Sequence, residues 1–381
     1  MNRIFVKQSS YVLETLRPQV FSILDDTIGG IIRPGMKALV KPNMLSPSTP
    51  ESAVITHPLV VRAVAEYFLA KDVHPLIADS PAIGSFGEIL RKGGYAEYFS
   101  GLNVEIREFS GSVQRDIGKP FGMIDIAEEA ATADVIVNVP KLKTHSQMTL
   151  TGAVKNLFGC IVGMRKAEWH LRAGIDLDLF ARLLVQIYST LQPAITLVDG
   201  ILAMEGDGPG RSGTPRHLGY LIAGKDALAI DSIICRIVGL DPHKLPTNKA
   251  ALALGYSPAP YVLDGPDYKT DNFRLPRQTP LIYGPRQMHG LIRRLLIARP
   301  RLNKSKCNGC NLCSAYCPAG IITVAKRRPS IAYGQCIRCF CCVEICPEGA
   351  LTMREPLLGT LIRRFAHISP AAFSKGPKVP G

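Results

Sequence analysis

Eight cysteines near the C-terminus repeat one spacing twice, and this spacing is typical of iron–sulfur ligands. In each copy three cysteines lie three residues apart, and a fourth, followed by proline, comes four residues later. The first copy consists of Cys307, Cys310, Cys313 and Cys317, and the second of Cys336, Cys339, Cys342 and Cys346. One tight loop can present three such thiolates to one face of a four-iron cube, while the fourth turns towards a neighbouring cube.

The repeat predicts two [4Fe–4S] clusters that exchange their fourth ligands. The first is assigned to Cys307, Cys310, Cys313 and Cys346, and the second to Cys336, Cys339, Cys342 and Cys317. Cys341 falls between ligand positions, so we expect a small buried side chain, with a role as alternative ligand left open. Zinc is disfavoured because it would not require the third and fourth cysteines plus proline in both copies. Residues 300–356 resemble a bacterial-type two-[4Fe–4S] ferredoxin, and a purely structural role of the clusters stays open.

A second group of reactive side chains follows apolar runs in the first 240 residues. Runs such as KALV (37–40), DVIVNVP (134–140) and ITLV (195–198) alternate with amphipathic stretches, which predicts a mostly parallel, layered α/β sheet. Ligands bind outside the carboxyl ends of parallel strands, so the polar residues there predict one shared site. The candidate catalytic residues are Lys41, His145, Lys155 and Asp199, and the candidate binding residues are Asn43, Asp79, Lys141, Lys143, Asn156 and Asp207.

Four lysines in this set would create a positive field suited to a carboxylate or phosphate. A buried lysine near other cations can have a lowered pKa, so Lys155 or His145 is expected to supply protons. The aspartates and His145 leave a catalytic metal open, and a flavin is equally open. The segment KAEWH (166–170) is expected to be a loop, and the glycine-rich MEGDGPGRSG (204–213) does not match the dinucleotide fingerprint.

Several of these stretches resemble the family catalogued as domain of unknown function 362. They are KPNM (41–44), ADSP (78–81), VPKLKTHSQMTLTGAVKNLFG (139–159), KAEWH, LVDGILAMEGDGPG (197–210) and the helix from Asp226. The resemblance covers about residues 35–240 and implies the α/β architecture, the location of the site and a frequent fusion to a ferredoxin module. It implies no particular reaction.

The composition divides the chain into four parts. We expect an α/β domain at 1–255, a Pro/Gly-rich linker at 256–303 with a short basic helix at 290–301, an α+β two-[4Fe–4S] ferredoxin-like domain at 304–356, and a basic tail at 357–381. The formal net charge is +14, and residues 291–381 hold 15 Lys and Arg against 3 Asp and Glu. This excess predicts docking of an acidic donor such as ferredoxin or flavodoxin.

The sequence also narrows the location and the function class. It shows no signal peptide and no apolar run long enough to span a bilayer, which predicts a cytoplasmic protein, with weak peripheral membrane contact left open. Nucleic-acid binding is disfavoured because no aromatic stacking surface or binding motif accompanies the basic residues.

We expect an oxidoreductase that passes electrons to an anionic small molecule. An accessory electron-transfer subunit and a non-redox enzyme with structural clusters are the alternatives.

Overall fold

A ten-stranded mixed sheet forms the centre of the large domain in the computed structural model, which describes residues 2–82, 84–163, 165–173, 176–276, 298–354 and 356. The strands of this domain are β1 (Asn2–Gln8), β2 (Ala38–Pro42), β3 (Leu76–Asp79), β4 (Glu105–Glu108), β5 (Ser112–Asp116), β6 (Met123–Ala127), β7 (Val135–Val139), β8 (Lys141–His145), β9 (Thr149–Thr151), β10 (Ile195–Gly206), β11 (Gly213–Gly224) and β12 (Tyr261–Asp264). The sheet order is β12-β1-β11-β10-β7-β2-β3-β4, with β8 paired to β10 and β9 to β8, while β5 and β6 form a separate hairpin.

Most strand pairs of this sheet are parallel, as the sequence predicts. The pairs β1–β12, β2–β3, β2–β7, β3–β4, β7–β10 and β8–β10 are parallel, whereas β1–β11, β10–β11 and β8–β9 are antiparallel. Every residue of β2 and β7 is buried, because helices cover both faces of the central strands.

Two sets of helices cover the two faces of the sheet. The helices of the large domain are α1 (Leu13–Leu24), α2 (Pro58–Leu69), α3 (Phe86–Lys92), α4 (Tyr95–Tyr98), α5 (Glu128–Thr132), α6 (Ala153–Asn156), α7 (Arg165–Ala173), α8 (Leu177–Leu191), α9 (Ala227–Ile237) and α10 (Pro246–Ala253). In β1, Phe5 packs into the core beneath α1–α4, while Ile4 and Val6 pack into the core beneath α5–α10. This alternation of side chains produces a three-layer α/β/α domain.

The C-terminal module is a small α+β unit with its own core. It contains β13 (Arg299–Leu302) paired with β16 (Leu351–Arg354), the hairpin β14 (Ile322–Ala325) and β15 (Arg328–Ile331), and two single-turn helices, α11 (Leu312–Ala315) and α12 (Cys341–Glu344). Phe340, Val343 and Leu351 are buried in its core together with cysteines of both copies. The predicted combination of an α/β domain and a ferredoxin-like module is confirmed.

The predicted linker at 256–303 has more structure than expected. Residues 261–264 form β12, which pairs in parallel with β1, and Phe273 is buried in the core of the large domain. Residues 299–302 form β13 of the C-terminal module, so this end of the basic helix predicted at 290–301 is a strand. Residues 290–297 and the predicted tail at 357–381 lie outside the described residues. Short β-strands of a sheet edge resemble loops in sequence when proline and glycine flank them.

No helix within the described part of the chain is long and apolar enough to cross a membrane.

Candidate functional site

A buried ion pair joins β8 to β10 at the predicted site. The Nζ of Lys141 lies 2.8 Å from Oδ2 of Asp199, and both side chains are 0% exposed. The hydroxyl of Tyr11 donates to Oδ1 of Asp199 (2.7 Å) and accepts from Nζ of Lys141 (2.9 Å), while the backbone N–H of His57 donates to Oδ2 (2.9 Å). Burial lowers the pKa of Lys141, and the Asp199 carboxylate opposes this lowering. Because the charges and hydrogen-bonding groups of the Lys141–Asp199 pair are satisfied in this way, we assign the pair a structural role.

A second buried ion pair lies at the end of β2 and β3. The Nζ of Lys41 is 2.9 Å from Oδ1 of Asp79 and also donates to the Pro42 carbonyl (3.0 Å). The Asp79 carboxylate accepts from the backbone N–H groups of Met44 and Ser80 as well. Gly159 covers the pair so closely that an added Cβ would lie 2.3 Å from Nζ of Lys41.

A chain of asparagine amides occupies the space between these pairs. Lys143 donates to Oδ1 of Asn43 (2.9 Å) and to the Val54 carbonyl (2.6 Å). Asn43 donates to Asn156 (2.9 Å), which in turn donates to Oδ1 of Asn138 (2.8 Å). Burial, and then the charge of Lys155, hold the pKa of Lys143 well below its usual range. The predicted binding residues Asn43 and Asn156 therefore orient one another and Lys143.

These contacts correct the expectation of four lysines that jointly attract an anion. Lys41 and Lys141 each face a buried carboxylate, so their charges are neutralised locally, and Lys143 is engaged by two acceptors. Lys155 is different, because its half-buried side chain makes no hydrogen bond or ion pair with any other described residue, and its Nζ lies 5.9 Å from the centroid of the Phe158 ring. Burial lowers the pKa of Lys155, and the nearby carboxylate of Glu344 opposes this lowering.

Helix α6, which carries Lys155 and Asn156, is held by a carboxylate from α9. The side chain of Asp231 accepts from the backbone N–H groups of Ala153 (2.6 Å) and Val154 (3.2 Å), the first residues of α6. Gly152 makes this approach possible, since an added Cβ would lie 2.0 Å from Oδ1 of Asp231. Burial raises the pKa of Asp231 to about 7. Asp231 thus fixes the helix that carries Lys155.

His145 is neutral and its tautomer is determined by its contacts. Its Nδ1 accepts from the backbone N–H groups of Gln147 (3.1 Å) and Met148 (3.1 Å), so the proton of the neutral ring is on Nε2. Burial, followed by the charge of Lys155, keeps the pKa of His145 well below its usual range. Nε2 lies 3.3 Å from Oε1 of Glu344, in α12 of the C-terminal module, and burial raises the pKa of Glu344 to about 7.

The segment KAEWH forms part of helix α7, and the predicted loop is wrong. Trp169 packs edge-on against Phe121, with ring centroids 5.7 Å apart, and therefore belongs to the core. His170 is buried against Phe180, and burial lowers its pKa to about 3. Lys166 donates to the Ser80 carbonyl, and burial lowers its pKa to about 8. The contact of Trp169 with Phe121 joins two different segments of the chain, and a sequence pattern does not show such a contact.

The glycine-rich segment after β10 lies against the C-terminal module. A Cβ on Gly210 would lie 2.8 Å from the Glu344 carbonyl oxygen, and a Cβ on Gly349 would lie 3.8 Å from Arg211. Asp207, a predicted binding residue, is half-buried in the turn between β10 and β11. The missing side chain of Gly210 permits close approach of backbone from the second module.

Replacing Gly210 with leucine should loosen the contact between the two modules, because its side chain would overlap the Glu344 carbonyl. We expect limited proteolysis of the anaerobic holoprotein to separate the modules at least several-fold faster than in the wild type, with iron content unchanged. Gly87→Leu is the control, since nothing lies within 4 Å of a Cβ built there. Equal proteolysis rates in Gly210→Leu and Gly87→Leu would contradict the proposed contact between the two modules.

The two predicted cysteine sets line two separate cavities of the module. One cavity is lined by Cys307, Cys310, Cys313 and Cys346, and the other by Cys317, Cys336, Cys339 and Cys342. Each cavity thus receives three cysteines from one copy and one from the other, and the exchange of cluster ligands stays a prediction. Four thiolates around one cavity are the donor set that a [4Fe–4S] cube requires, so the residues fit this group.

Two further observations concern metal binding at and beyond these cavities. Cys341, the spare cysteine, lines neither cavity. In the part of the chain that the structure describes, no three His, Cys, Asp or Glu side chains are placed to hold a single metal ion. A cube binds each thiolate at a different iron, so its cysteines lie farther apart than ligands of one ion.

Five residues that shape the site are not among those predicted from the sequence. They are Tyr11, His57, Asn138, Asp231 and Glu344. Asn138 left a signal, because an asparagine inside the apolar run DVIVNVP requires a buried partner. Tyr11 and His57 are 188 and 142 residues from Asp199, and their roles arise only from the fold.

The family of the chain follows from comparison with known proteins. Residues 38–236, which are 199 of the 381 residues, match the family described as domain of unknown function DUF362. The chain belongs to the DUF362 family. Residues 299–347 of this DUF362 protein match a 4Fe–4S dicluster domain, which supports 4Fe–4S clusters and a protein of the electron-transfer type. The resemblance to both families is confirmed.

Two individual proteins are similar to this DUF362 protein. Thylakoid-associated protein sll1697 from Synechocystis sp. is 37% identical over 278 residues, which cover 71% of this chain and 86% of that protein. The lactate racemase apoprotein structure from Thermoanaerobacterium thermosaccharolyticum is 18% identical with a TM-score of 0.37. That match covers 59% of this chain, which spans about half (54%) of the length of the racemase chain.

Proposed function

We propose that this DUF362 protein is an oxidoreductase that transfers electrons to an anionic small molecule bound between its two modules. The observation that carries the proposal is the convergence of Lys155, His145 and Glu344. Lys155 and His145 come from the α/β domain, and Glu344 lies one turn from the cysteines of the second set. An electron carrier and a cationic side chain that makes no hydrogen bond or ion pair with the described residues are thereby brought to one place.

The residues that would hold the cofactors are the two cysteine sets around the two cavities. When bound, [4Fe–4S] clusters supply one-electron transfer at low potential. The thiolates on the inner side belong to the second set, since Cys339 and Cys342 are buried and lie in the same segment as Glu344. A flavin or a further metal is not needed for this proposal.

Lys155 would bind the anionic group and supply a proton. A lysine whose pKa is lowered by burial is partly deprotonated closer to neutral pH, and so can exchange a proton during reaction. His145 would act differently from the expectation drawn from sequence. Because its ring is neutral and the proton on Nε2 faces Glu344, it would position Glu344 at the site and would not donate a proton, since a neutral imidazole is a very weak acid.

The paired residues would provide the rigid frame of this site. Lys41–Asp79 and Lys141–Asp199 are fully engaged, so we assign them to support and not to proton transfer. The Asn43–Asn156–Asn138 amide chain orients Lys143 towards the same region, where its charge influences Glu344. Asp207 is kept as a candidate binding residue at the edge of the site.

Lys155→Ala should lower anion affinity by about 10- to 100-fold, because a charge-assisted hydrogen bond contributes about 1.5–3 kcal/mol. The measurement is calorimetric titration of the anaerobic holoprotein with phosphate and oxalate as probes, followed by dithionite-driven turnover of a panel of carboxylates and phosphate esters. His145→Ala should reduce turnover more than affinity. Lys249→Ala is the matched control, since Lys249 forms an exposed ion pair with Asp178. Full activity in both Lys155→Ala and His145→Ala would refute the site.

An accessory electron-transfer subunit is the second candidate, and the basic exposed surface of the module favours it. Residues 291–381 hold 15 Lys and Arg against 3 Asp and Glu, and this excess suits an acidic protein such as ferredoxin or flavodoxin. Stable co-purification with a second enzyme, without activity of the isolated chain, would favour this role.

We propose that the protein is located in the cytoplasm. Because the name of the Synechocystis relative describes it as thylakoid-associated, attachment of this protein to a membrane surface should be tested as well.

A further inference from the structure

A strained two-residue turn presents two adjacent basic side chains at the tip of the β14–β15 hairpin. The strands are closed by the pair Ala325–Arg328, and the turn residues Lys326 and Arg327 have φ angles of 46° and 61°. Positive φ at both positions defines a type I′ turn, for which Asn-Gly is strongly preferred. Lysine and arginine rarely adopt this conformation, and strain of this kind is retained at functional positions.

The turn is fixed against the loop that carries the first cysteine set. The guanidinium of Arg327 donates to the Asn308 carbonyl (2.9 Å), between Cys307 and Cys310. Gly309 has no room for a side chain there, since an added Cβ would lie 2.6 Å from Cβ of Arg327. The basic tip and the cysteine loop therefore form one rigid surface.

This surface is the solvent-facing side of the two cysteine sets. Cys310 is exposed and Cys307 is half-buried, whereas the corresponding Cys339 and Cys336 of the second set are buried. The segment of the second set faces the large domain through Glu344. The module therefore has an outer side at the first set and an inner side at the second.

The outer side carries a strongly positive surface. Exposed basic residues are Lys304, Lys306, Lys326, Arg327 and Arg328. The carboxylate beside them is Glu348, which accepts a hydrogen bond from the Asn308 side chain (3.1 Å). A cluster with this excess of one charge steers an oppositely charged partner and accelerates its association.

We propose that the surface formed by Lys304, Lys306 and Lys326–Arg328 is the docking site for a small acidic electron-carrier protein. This inference rests on the proposed redox function and adds the face at which the partner binds. A protein partner is favoured over a membrane because the surface surrounds the exposed cysteine loop. The exposed large apolar side chains of the described chain also lie outside this module, so nothing here would insert into lipid.

The turn allows a test that does not damage the fold. The double variant Lys326→Asn, Arg328→Gln removes two exposed charges, places a residue favoured at positive φ in the turn and keeps the contact of Arg327 with Asn308, so its stability should equal or exceed that of the wild type. The probe is a purified acidic flavodoxin, and the readout is its dissociation constant for the anaerobic holoprotein at low and high ionic strength. We expect affinity at low salt to fall at least 10-fold, with the iron content and the cluster EPR signals unchanged.

Two further variants complete the experiment. Lys326→Glu should weaken flavodoxin binding further, whereas Lys244→Glu, at an exposed lysine of the large domain, should have little effect. Unchanged affinity in the turn variants would overturn the proposal, as would tighter, turn-dependent binding to phosphatidylglycerol vesicles than to flavodoxin. Lys155→Ala should leave flavodoxin binding intact, so failure of docking and failure of the proposed function are distinguishable.

Discussion

Replacing Asp199 with alanine should destabilise the protein by about 3–5 kcal/mol, because it leaves Lys141 as an unpaired buried cation. The same change removes the acceptor of the Tyr11 hydroxyl and of the His57 backbone N–H. The measurement is the free energy of unfolding of the anaerobic holoprotein in denaturant. Asp178→Ala is the control, since its ion pair with Lys249 is exposed and should contribute about 0–1 kcal/mol.

The Asp199→Ala variant should also become more stable as the pH rises. Burial already lowers the pKa of Lys141, and without the carboxylate this pKa falls further below its value in the unfolded chain. The unfolded state then binds more protons than the folded state between these two pKa values, so stability increases with pH across that window. A loss of stability below 1 kcal/mol, without this pH dependence, would show that the pair is not buried as described.

Replacing Cys346 with alanine should remove the cluster of the first cysteine copy, although Cys346 lies in the second. The reason is that Cys346 lines the same cavity as Cys307, Cys310 and Cys313. Iron content of the anaerobic protein should fall from about eight to about four atoms per chain. Cys317→Ala should remove the other cluster, because Cys317 lines the cavity of Cys336, Cys339 and Cys342.

A double variant distinguishes exchanged from unexchanged ligands. If Cys307 and Cys346 serve one cluster, Cys307→Ala combined with Cys346→Ala should retain about four iron atoms, as each single variant does. If each copy binds its own cluster, the double variant should retain almost none. Cys341→Ala is the control and should keep about eight, since Cys341 lines neither cavity.

The sequence predicted where the candidate residues lie in the fold better than it predicted the contacts that they make. Polar residues after parallel strands lie near one another for topological reasons, and Lys41, Lys141 and Lys143 are indeed at the predicted edge. Sequence did not reveal which lysines are neutralised. The partners that satisfy the Lys141–Asp199 pair, Tyr11 and His57, are supplied by distant segments that only the fold brings together.

The contribution of the second module could not be inferred from spacing. Glu344 lies between two cysteine ligand positions, and its residue type does not distinguish it from an ordinary surface residue. Its contact with His145 depends on the close approach that Gly210 permits across the glycine-rich segment. The cysteine sets were easier to predict from the sequence, because a repeated ligand spacing is a local pattern. A contact between modules leaves no such local pattern.

The proposed site is tested most directly by EPR spectroscopy of the dithionite-reduced holoprotein, titrated with oxalate as a probe anion. We predict that oxalate shifts the signal of one cluster, because the anion binds at Lys155 beside Glu344 and the second cysteine set. The cluster affected should be the one that Cys317→Ala removes, and Lys155→Ala should abolish the shift while both cluster signals persist. An identical shift and affinity in Lys155→Ala and in the wild type would contradict the account.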